Sequence, residues 1–324
     1  MNRWLQFGFL FSLLSLACIA QAAFPGEQTI ALQKRTGTQI NKGAVGIIAG
    51  GVNGTYIRIA ADMATVLDSD NLRVLAIVGK GSAQNIDDLL YLKGIDMAIV
   101  QSDVLEYLKR QGIYKDIDKR INYIAKLYNE EFHLLANSEI KNLNDLAGRK
   151  VNFDVKGSGT AITASIIFDT LKISVEPLYD DQATALEKLK NGEIAALAYV
   201  AGKPAQLFEK ITANDKLHFL SIDHTPALLE TYLPTHINSQ DYPLIIQQNN
   251  DIKTVAVGAV LAVYNWKKGH GRDQKVTNFA NHFLDHFSDF LQPARHPKWQ
   301  EVSLSATIPG WTRLPSTQEW LQRH

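Results

Sequence analysis

The sequence predicts an α/β protein with two lobes, a ligand cleft between them and hinge strands that cross from one lobe to the other. Three observations predict this class. The chain has 324 residues, which is long for one compact core and suits two domains. Strand-like and helix-like segments alternate in two successive series, a pattern typical of mostly parallel sheets covered by helices. Polar turns that contain glycine follow the strands, where ligands bind in open α/β sheets.

The first series alternates three strands with three helices. Each strand is a short apolar run, and the first helix places Ile57, Ala60 and Ala64 on one face, as the helical period requires. Residues 24–42, which precede the series, are polar and irregular. The predicted elements are strand Val45–Ala49, helix Ile57–Leu67, strand Leu72–Val78, helix Ala83–Leu92, strand Ile95–Val100 and helix Val104–Gln111.

The second series follows two strand-like runs, Tyr123–Leu127 and Phe132–Ala136, which the polar residues Asn129-Glu130-Glu131 join. The long β-rich run Thr254–Tyr264 is expected to cross back between the halves. The remainder is expected to be helical, because Phe279, Phe283, Phe287 and Phe290 recur at helical spacing. The other predicted elements are a helix near Leu143–Leu146, strand 150–154, helix 161–171, strand 175–179, helix 182–190, strand Ala195–Val200 and strand 217–222.

This order of elements predicts the domain organisation. We expect a signal peptide over residues 1–22, the first part of lobe 1 over 23–137, and lobe 2 over 138–253. Residues 254–324 then return to lobe 1 and form the C-terminal helices. The hinge is expected near Asn137 and again near Thr254.

The N-terminus has the pattern of an export signal. Arg3 supplies the positive start, Leu5–Ile19 is apolar but too short to span a bilayer, and Ala20-Gln21-Ala22 is a small-residue cleavage pattern. We therefore expect a periplasmic mature chain that starts at Ala23. A retained anchor, or lipidation at Cys18, is the alternative.

Composition excludes several classes of function. The 33 basic and 33 acidic residues balance, so nothing favours a nucleic-acid partner. Cys18 is the only cysteine, and cleavage after Ala22 leaves no thiol for disulfides, metal sites or nucleophilic catalysis. We expect no cofactor and a monomeric protein.

The turn Lys156-Gly157-Ser158-Gly159-Thr160 is the strongest candidate binding motif, because it lies between a predicted strand and a predicted helix. Gly157 and Gly159 permit a tight bend and close approach of a ligand, and Ser158 or Thr160 is expected to cap the helix. Backbone N–H groups, hydroxyls and the positive helix end then form a pocket for an anion, most simply a carboxylate. An ordinary capped turn without a ligand is the alternative.

Four further turns are expected to line the same cleft: Gly50–Thr55, Gly79–Ser82, Gln101–Asp103 and Ala201–Pro204. Asp103 is expected to cap the following helix. Lys156 and Lys203 either neutralise a second ligand carboxylate or are solvated, and the orientation of Arg58 is left open. No arginine lies in any turn, so we expect one carboxylate plus neutral polar groups. The predicted ligand-binding residues are Gly51, Asn53, Thr55, Tyr56, Ser82, Asn85, Gln101, Gly157, Ser158, Gly159, Thr160 and Gly202.

Metal-dependent and hydrolytic functions find little support. His282 and His286 have the i, i+4 spacing that can chelate zinc, but the order His-Glu-x-x-His is missing. Gly157-Ser158-Gly159 is not the Gly-x-Ser-x-Gly elbow of a serine hydrolase. We expect no metal site and no catalytic residues.

Four segments in this order resemble the TAXI-type solute-binding proteins of TRAP (tripartite ATP-independent periplasmic) transporters. They are Gly50-Gly51-Val52-Asn53-Gly54-Thr55-Tyr56, Gly81-Ser82-Ala83-Gln84-Asn85, Asp96-Met97-Ala98-Ile99-Val100-Gln101-Ser102-Asp103 and Gly157-Ser158-Gly159-Thr160. The resemblance spans roughly residues 44–265. It implies a two-lobed periplasmic-binding fold of type II-like organisation that closes on a small carboxylate, such as glutamate or a 2-oxo or dicarboxylic acid.

The same resemblance implies that TRAP membrane subunits receive the ligand and that an ion gradient drives its transport without chemical change. Two alternatives remain. The same fold can serve as a ligand-sensing subunit for a signalling partner, or the protein can be an exported enzyme.

Overall fold

Eleven strands form one sheet in the computed structural model, which describes residues 43–69, 71–114 and 116–324. The predicted signal peptide, its cleavage site and Cys18 lie outside the described residues. The strands are β1 (Ala44–Ile48), β2 (Arg73–Ile77), β3 (Met97–Gln101), β4 (Ile121–Asn137), β5 (Lys150–Asn152), β6 (Glu176–Leu178), β7 (Ala196–Ala201), β8 (Leu217–Phe219), β9 (Leu233–Ile237), β10 (Ile252–Tyr264) and β11 (Thr312–Arg313).

Ten α-helices in the described part of the chain connect and cover these strands. Short 3-10 turns supplement them at Leu143–Leu146, Gln206–Phe208, Ala213–Asp215 and Pro297–Glu301. The α-helices are α1 (Thr55–Leu67), α2 (Ser82–Tyr91), α3 (Ser102–Arg110), α4 (Ile117–Arg120), α5 (Gly159–Thr170), α6 (Gln182–Lys190), α7 (Pro226–Leu229), α8 (Gly271–Asp285), α9 (Phe287–Phe290) and α10 (Pro315–Arg323).

The sheet consists of two parallel blocks joined by an antiparallel centre. Its order is β2-β1-β3-β10-β4-β7-β5-β6, with β8 and β11 paired to β4 and β9 paired to β10. β1 runs parallel to β2 and β3, and β5 runs parallel to β6 and β7. β10 is antiparallel to both β3 and β4. Since the carboxyl ends of parallel strands meet at one edge, each block presents such an edge to the centre of the molecule.

The centre differs from the prediction in one respect. β4 is one continuous strand of 17 residues, so the prediction of two separate strand-like runs joined through Asn129-Glu130-Glu131 is wrong. Glu130 and Glu131 are buried, at 2% and 3% exposure. Their polarity is typical of a turn, but side chains from distant parts of the chain satisfy both carboxyl groups, as described below.

β4 and β10 pass from one half of the sheet to the other. Val260 of β10 lies between Val100 of β3 and Lys126 of β4, whereas Ala256 pairs with β4 and with Leu233 of β9. A register shift between Gly258 and Val260 separates these two pairings. β10 therefore passes from one half of the sheet to the other near this register shift.

The corresponding crossing in β4 comes before the predicted hinge at Asn137, because residues from Glu131 onward already pair with β7. The predicted domain boundaries at 137 and 253 stay predictions. Two large groups of buried side chains fill the two halves. One surrounds α1 and the C-terminal helix α8, and the other surrounds α5 and β7.

The C-terminal region is mainly helical, as predicted, apart from the two-residue strand β11. Phe279, Phe283 and Phe290 are fully buried, and Trp299 packs on Phe290 with ring centroids 4.4 Å apart. The segment therefore covers the sheet and closes the core around α1. None of the described helices combines the length and the apolar character that crossing a membrane requires.

Candidate functional site

The parallel strands of both blocks end at one cavity of about 250 Å³. The residues that follow β1, β2, β5 and β6, and the last residues of β3 and β7, line it. The cavity thus lies where open α/β sheets bind their ligands. Its volume is slightly below the roughly 300–1,000 Å³ of pockets for drug-sized molecules, so it suits a small solute.

Four helices begin at the cavity: α1, α2, α5 and α6. Gly54 and Gly81 precede α1 and α2, and neither helix has a side chain that accepts from its first turn. Ser158 caps α5 by accepting from the N–H of Ala161 at 3.1 Å. Asp181 caps α6 through two N–H groups. α1 and α2 therefore offer unsatisfied backbone donors and the positive ends of their dipoles to the cavity.

The two halves touch beside the cavity. A Cβ atom on Gly159 would overlap the side-chain amide of Gln101 and would lie 2.5 Å from the hydroxyl of Ser82. The N–H of Gln84 donates to the carbonyl of Gly157 at 3.1 Å. Only a residue without a side chain permits this approach at Gly159. The structure therefore represents the protein with its halves in contact.

A buried carboxyl group forms part of the cavity wall. The hydroxyl of Tyr56 donates to Glu130 Oε2 at 2.6 Å, and both residues line the cavity. Burial raises the pKa of Glu130 to about 8, although the hydrogen bond from Tyr56 acts in the opposite direction. Glu130 is therefore mostly protonated at neutral pH when the cavity holds no ligand cation.

Two further acids lie on the second half. Asp154 follows β5, and burial raises its pKa to about 6. Asp181 lines the cavity at the start of α6, and the hydrogen bonds that it accepts from Thr184 and Ala183 lower its pKa. Among the lining residues, the exposed Lys80 is the only basic one. The wall therefore carries more potential negative than positive charge.

The negative charge of Glu131, which follows Glu130 in the chain, is neutralised by a lysine side chain. Its Oε1 atom lies 2.8 Å from the ammonium group of Lys298, and its Oε2 atom accepts from the N–H of Lys203 at 2.9 Å. Lys298 also contacts Glu301 at 2.7 Å. Glu131 therefore belongs to a buried ion network behind the cavity and does not line it.

Most of the predicted ligand-binding residues lie together at this cavity, and their contact with a ligand stays a prediction. The first half contributes residues from three strand ends and the second half contributes the Ser-Gly-Thr turn. Those that line the cavity are Gly51, Asn53, Thr55, Tyr56, Ser82, Gln101, Ser158, Gly159 and Thr160.

The structure does not place three of the predicted residues in the cavity wall. Asn85 is fully buried and donates to the carbonyls of Ala49 and Ile99, both at 2.8 Å, so it ties α2 to two strands. Gly157 has a φ of 87° and lies against α2 of the other half. Gly202 packs between Thr55 and the side chain of Lys298.

Other predicted roles also change. Asp103 does not cap α3; its Oδ2 atom accepts from Thr163 at 2.8 Å and from Tyr232 at 3.1 Å, both on the other half. Lys203 forms an ion pair with Asp241 at 3.0 Å. The exposed Lys156 and Arg58 are not among the lining residues.

Sequence reasoning missed five polar residues of the wall: Glu130, Asp154, Asp181, Gln182 and Tyr199. Asp154 is the last residue of one predicted strand and Asp181 follows another, so the rule that selected the other turns would have found them. Glu130 was placed among the polar residues that join two strand-like runs, and nothing local indicates that a strand buries it.

Within residues 43–69, 71–114 and 116–324, no group of three or more His, Cys, Asp or Glu side chains is arranged to hold a metal ion. The rings of His282 and His286 stack with centroids 6.1 Å apart. The expectation that this pair is not a metal site stays a prediction.

Solved structures with similar folds include a periplasmic transporter (15% identity, 86% of this chain and 92% of that chain, TM-score 0.50). They also include the alkanesulfonate-binding protein SsuA from Xanthomonas axonopodis pv. citri bound to MOPS (14%, 87% and 84%, TM-score 0.47). A third is the effector-binding domain of QuiR in complex with shikimate (13%, 75% and 98%, TM-score 0.47). The likeness to the periplasmic transporter, together with the sheet described above, confirms the predicted fold class.

The sequence itself matches a family model. The match covers residues 47–268 and therefore includes both blocks of the sheet, both crossing strands and every residue of the cavity wall. The chain belongs to the NMT1-like family.

Proposed function

We propose that the protein is an extracytoplasmic solute receptor of TAXI type, which captures a small carboxylate and delivers it to a TRAP-type secondary transporter. The observation that carries the proposal is the convergence of helix N-termini from both halves on one small cavity. Such N-termini bind anions through free N–H groups and the helix dipole. Contacts from both halves also couple binding to closure.

The donors around the cavity suit a carboxylate. α1 and α2 lack side-chain caps, and the hydroxyl of Thr160, which lies in the wall, accepts from the N–H of Val200 at 3.0 Å and keeps its own proton for a ligand. Lys80 is the one cation there, so the anion is recognised mainly by neutral donors. Hydrogen bonds from neutral donors to a charged group contribute roughly 1.5–3 kcal/mol each. A few such bonds are enough for a receptor of ordinary affinity.

The proposal assigns no chemical step to the cavity. The hydroxyl of Ser158 already accepts from the N–H of Ala161, and no histidine is among the lining residues. A serine without a neighbouring base is a poor nucleophile. Turnover of a bound solute by the purified protein would contradict this part of the proposal.

A thermal-shift screen tests ligand capture. The purified protein is heated with amino acids, 2-oxo acids and dicarboxylates, because a ligand at 100 times its Kd adds about 2.7 kcal/mol of stability. We expect a rise in Tm of at least about one degree for the cognate carboxylate. If no carboxylate raises Tm and calorimetry detects no binding, the proposed receptor function is wrong.

Delivery and location need their own tests. Mass spectrometry of the exported protein should find Ala23 at its N-terminus, and a lipid-modified Cys18 would contradict that expectation.

Uptake of the labelled ligand into proteoliposomes that contain TRAP membrane subunits should require this protein and an ion gradient. Uptake that proceeds equally without the protein would exclude delivery.

A further inference from the structure

Glu130 lacks the counter-charge that a buried carboxyl group normally requires. It is 2% exposed and lines the cavity. Tyr56 satisfies its Oε2 atom, but no described group donates a hydrogen bond to Oε1, and no described cation lies within ion-pair distance. Its neighbour Glu131 shows the usual solution, a direct contact with Lys298. A buried carboxyl group ionises when a cation lies beside it, and Glu130 lines the cavity, so a cation bound in the cavity can pair with it.

The rest of the wall is consistent with a cation. Asp154 and Asp181 lie on the opposite half and Lys80 is exposed. A ligand with two carboxylates would place its second negative charge among these acids without a buried lysine or arginine to bind it. Like charges in a dry site repel strongly. A dicarboxylate therefore fits this wall poorly.

We propose that the ligand carries an ammonium group that binds to Glu130 and is supported by Asp154, in addition to one carboxylate that binds at the helix N-termini. The ligand class is then a small amino acid with an uncharged side chain, rather than a dicarboxylate, a 2-oxo acid or glutamate. This inference rests on the proposed receptor function and specifies its substrate. Glu130 acts as a residue that determines specificity.

The affinities of matched compounds test the inference. Neutral L-amino acids are compared with the 2-oxo acids that have the same side chains, and with succinate and L-glutamate, by thermal shift and calorimetry. The members of each matched pair share the carboxylate and the side chain and differ at the α carbon, which carries an ammonium group in one and a carbonyl oxygen in the other. We expect an amino acid to bind at least tenfold more tightly than its 2-oxo partner, since it alone forms the charge-assisted bond.

Two substitutions test whether Glu130 and Asp154 cause the preference for the amino acid. Glu130→Gln keeps the shape and an acceptor for Tyr56 but removes the negative charge, so it should raise the Kd of the amino acid about tenfold or more. Asp154→Asn should raise the Kd in the same direction. Neither change should weaken binding of the 2-oxo partner to the same extent. Glu209→Gln is the matched control, because Glu209 is exposed and is not among the lining residues.

Proton release provides a second readout that a merely structural role would not change. An ammonium beside Glu130 favours its ionised form, so binding of the amino acid near pH 7 should release a proton that Glu130→Gln no longer releases. Calorimetry in buffers of different ionisation enthalpy measures this release. The charged and titratable groups that interact with Glu130 are Tyr56, Tyr128, Tyr199, Glu131, Lys298 and Asp103.

The outcomes separate the inference from the proposed function. If succinate or a 2-oxo acid binds as tightly as the amino acids, or if Glu130→Gln leaves the affinity unchanged, the inference is overturned and the receptor function stands. If none of the carboxylates binds, both fail. Tighter binding of amino acids, lost with proton release in Glu130→Gln, supports the inference.

Discussion

Glu130 occupies a position in which its ionisation opposes folding. Its pKa is raised from 4.5 to about 8 by burial, so the folded state holds a proton that the unfolded state loses above about pH 4.5. The stabilisation is complete below pH 4.5 and is lost as the pH rises through 8. We expect the free energy of unfolding to fall by more than about 1 kcal/mol across this window, since one pKa unit corresponds to about 1.4 kcal/mol.

Urea unfolding at several pH values measures this dependence. Glu130→Gln should flatten the curve between pH 4.5 and 8, whereas Glu209→Gln should keep the wild-type slope. Asp103 and Asp154 contribute in the same direction up to about pH 6, so part of the slope remains in the variant. Equal slopes for wild type and Glu130→Gln would show that this carboxyl group is ionised in the folded protein.

Gly159 controls how closely the halves approach. Gly159→Ala adds a Cβ atom that overlaps Gln101 and crowds Ser82, so we expect it to disfavour the closed state and to raise the Kd of the ligand at least tenfold. The backbone φ of Gly159 does not require glycine, so the variant should fold. Circular dichroism and calorimetry check both expectations.

Gly271→Ala is the control, because the space around its Cβ position is open and it lies far along the chain in α8. Wild-type affinity in Gly159→Ala would mean that the contact between the halves plays no part in binding.

A buried hydrogen-bonded contact joins the two halves of the molecule. Asp103 of α3 accepts hydrogen bonds from Thr163 of α5 and from Tyr232. Thr163→Val removes one donor from a buried carboxyl group and should cost about 1–3 kcal/mol of stability. Burial raises the pKa of Asp103 to about 6, so the loss should be larger above pH 6, where the carboxylate is charged. Urea unfolding at pH 5 and pH 7.5 measures the difference.

Thr163→Ser keeps the hydroxyl and should behave like the wild type at both pH values. A loss that is equal at pH 5 and pH 7.5 would indicate that only the packing of the threonine methyl group matters.

Local patterns predicted most of the elements. The apolar run at residues 45–49 and the strand Ala44–Ile48 nearly coincide, and α5 starts at the predicted Ser-Gly-Thr turn. The sequence misses β9, which lies in a stretch of mainly polar residues, and the continuity of β4. Tyr56 satisfies Glu130 from 74 residues away and Lys298 satisfies Glu131 from 167 residues away. Burial that depends on such distant partners leaves no periodic signal in the strand itself.

The candidate site likewise contains some residues that local sequence reveals and others that only the fold reveals. Glycines and hydroxyls at strand ends are visible in the sequence because they belong to turns. Among the acids of the wall, Asp154 and Asp181 lie at strand ends where the same rule applies, whereas Glu130 is visible only once the fold brings its partners together.

Lys298 links the C-terminal segment to the centre of the whole molecule. Its side chain is 2% exposed and contacts Glu131 of β4, whose side chain is 4% exposed. Lys298→Met leaves Glu131 buried without its cation, which typically costs 3–5 kcal/mol. We expect a correspondingly lower denaturation midpoint, and partial recovery when Glu131→Gln is added.

Lys188→Met is the matched control, because the ion pair of Lys188 with Asp180 is about one-third exposed and water screens it. It should change the denaturation midpoint little. If Lys298→Met is as stable as Lys188→Met, the buried network does not hold the C-terminal segment in place.

The two central strands also govern when the chain can fold. β10 ends at Tyr264, so the half of the sheet that contains β1, β2 and β3 lacks its central neighbour until most of the polypeptide has been synthesised. Pairing between segments so far apart requires the closure of long loops and is slow. The first half of the sheet is therefore completed later than in a chain built from two self-contained domains. For an exported protein, as proposed above, we expect this delay to give a secretion apparatus time to engage the polypeptide before the cavity exists.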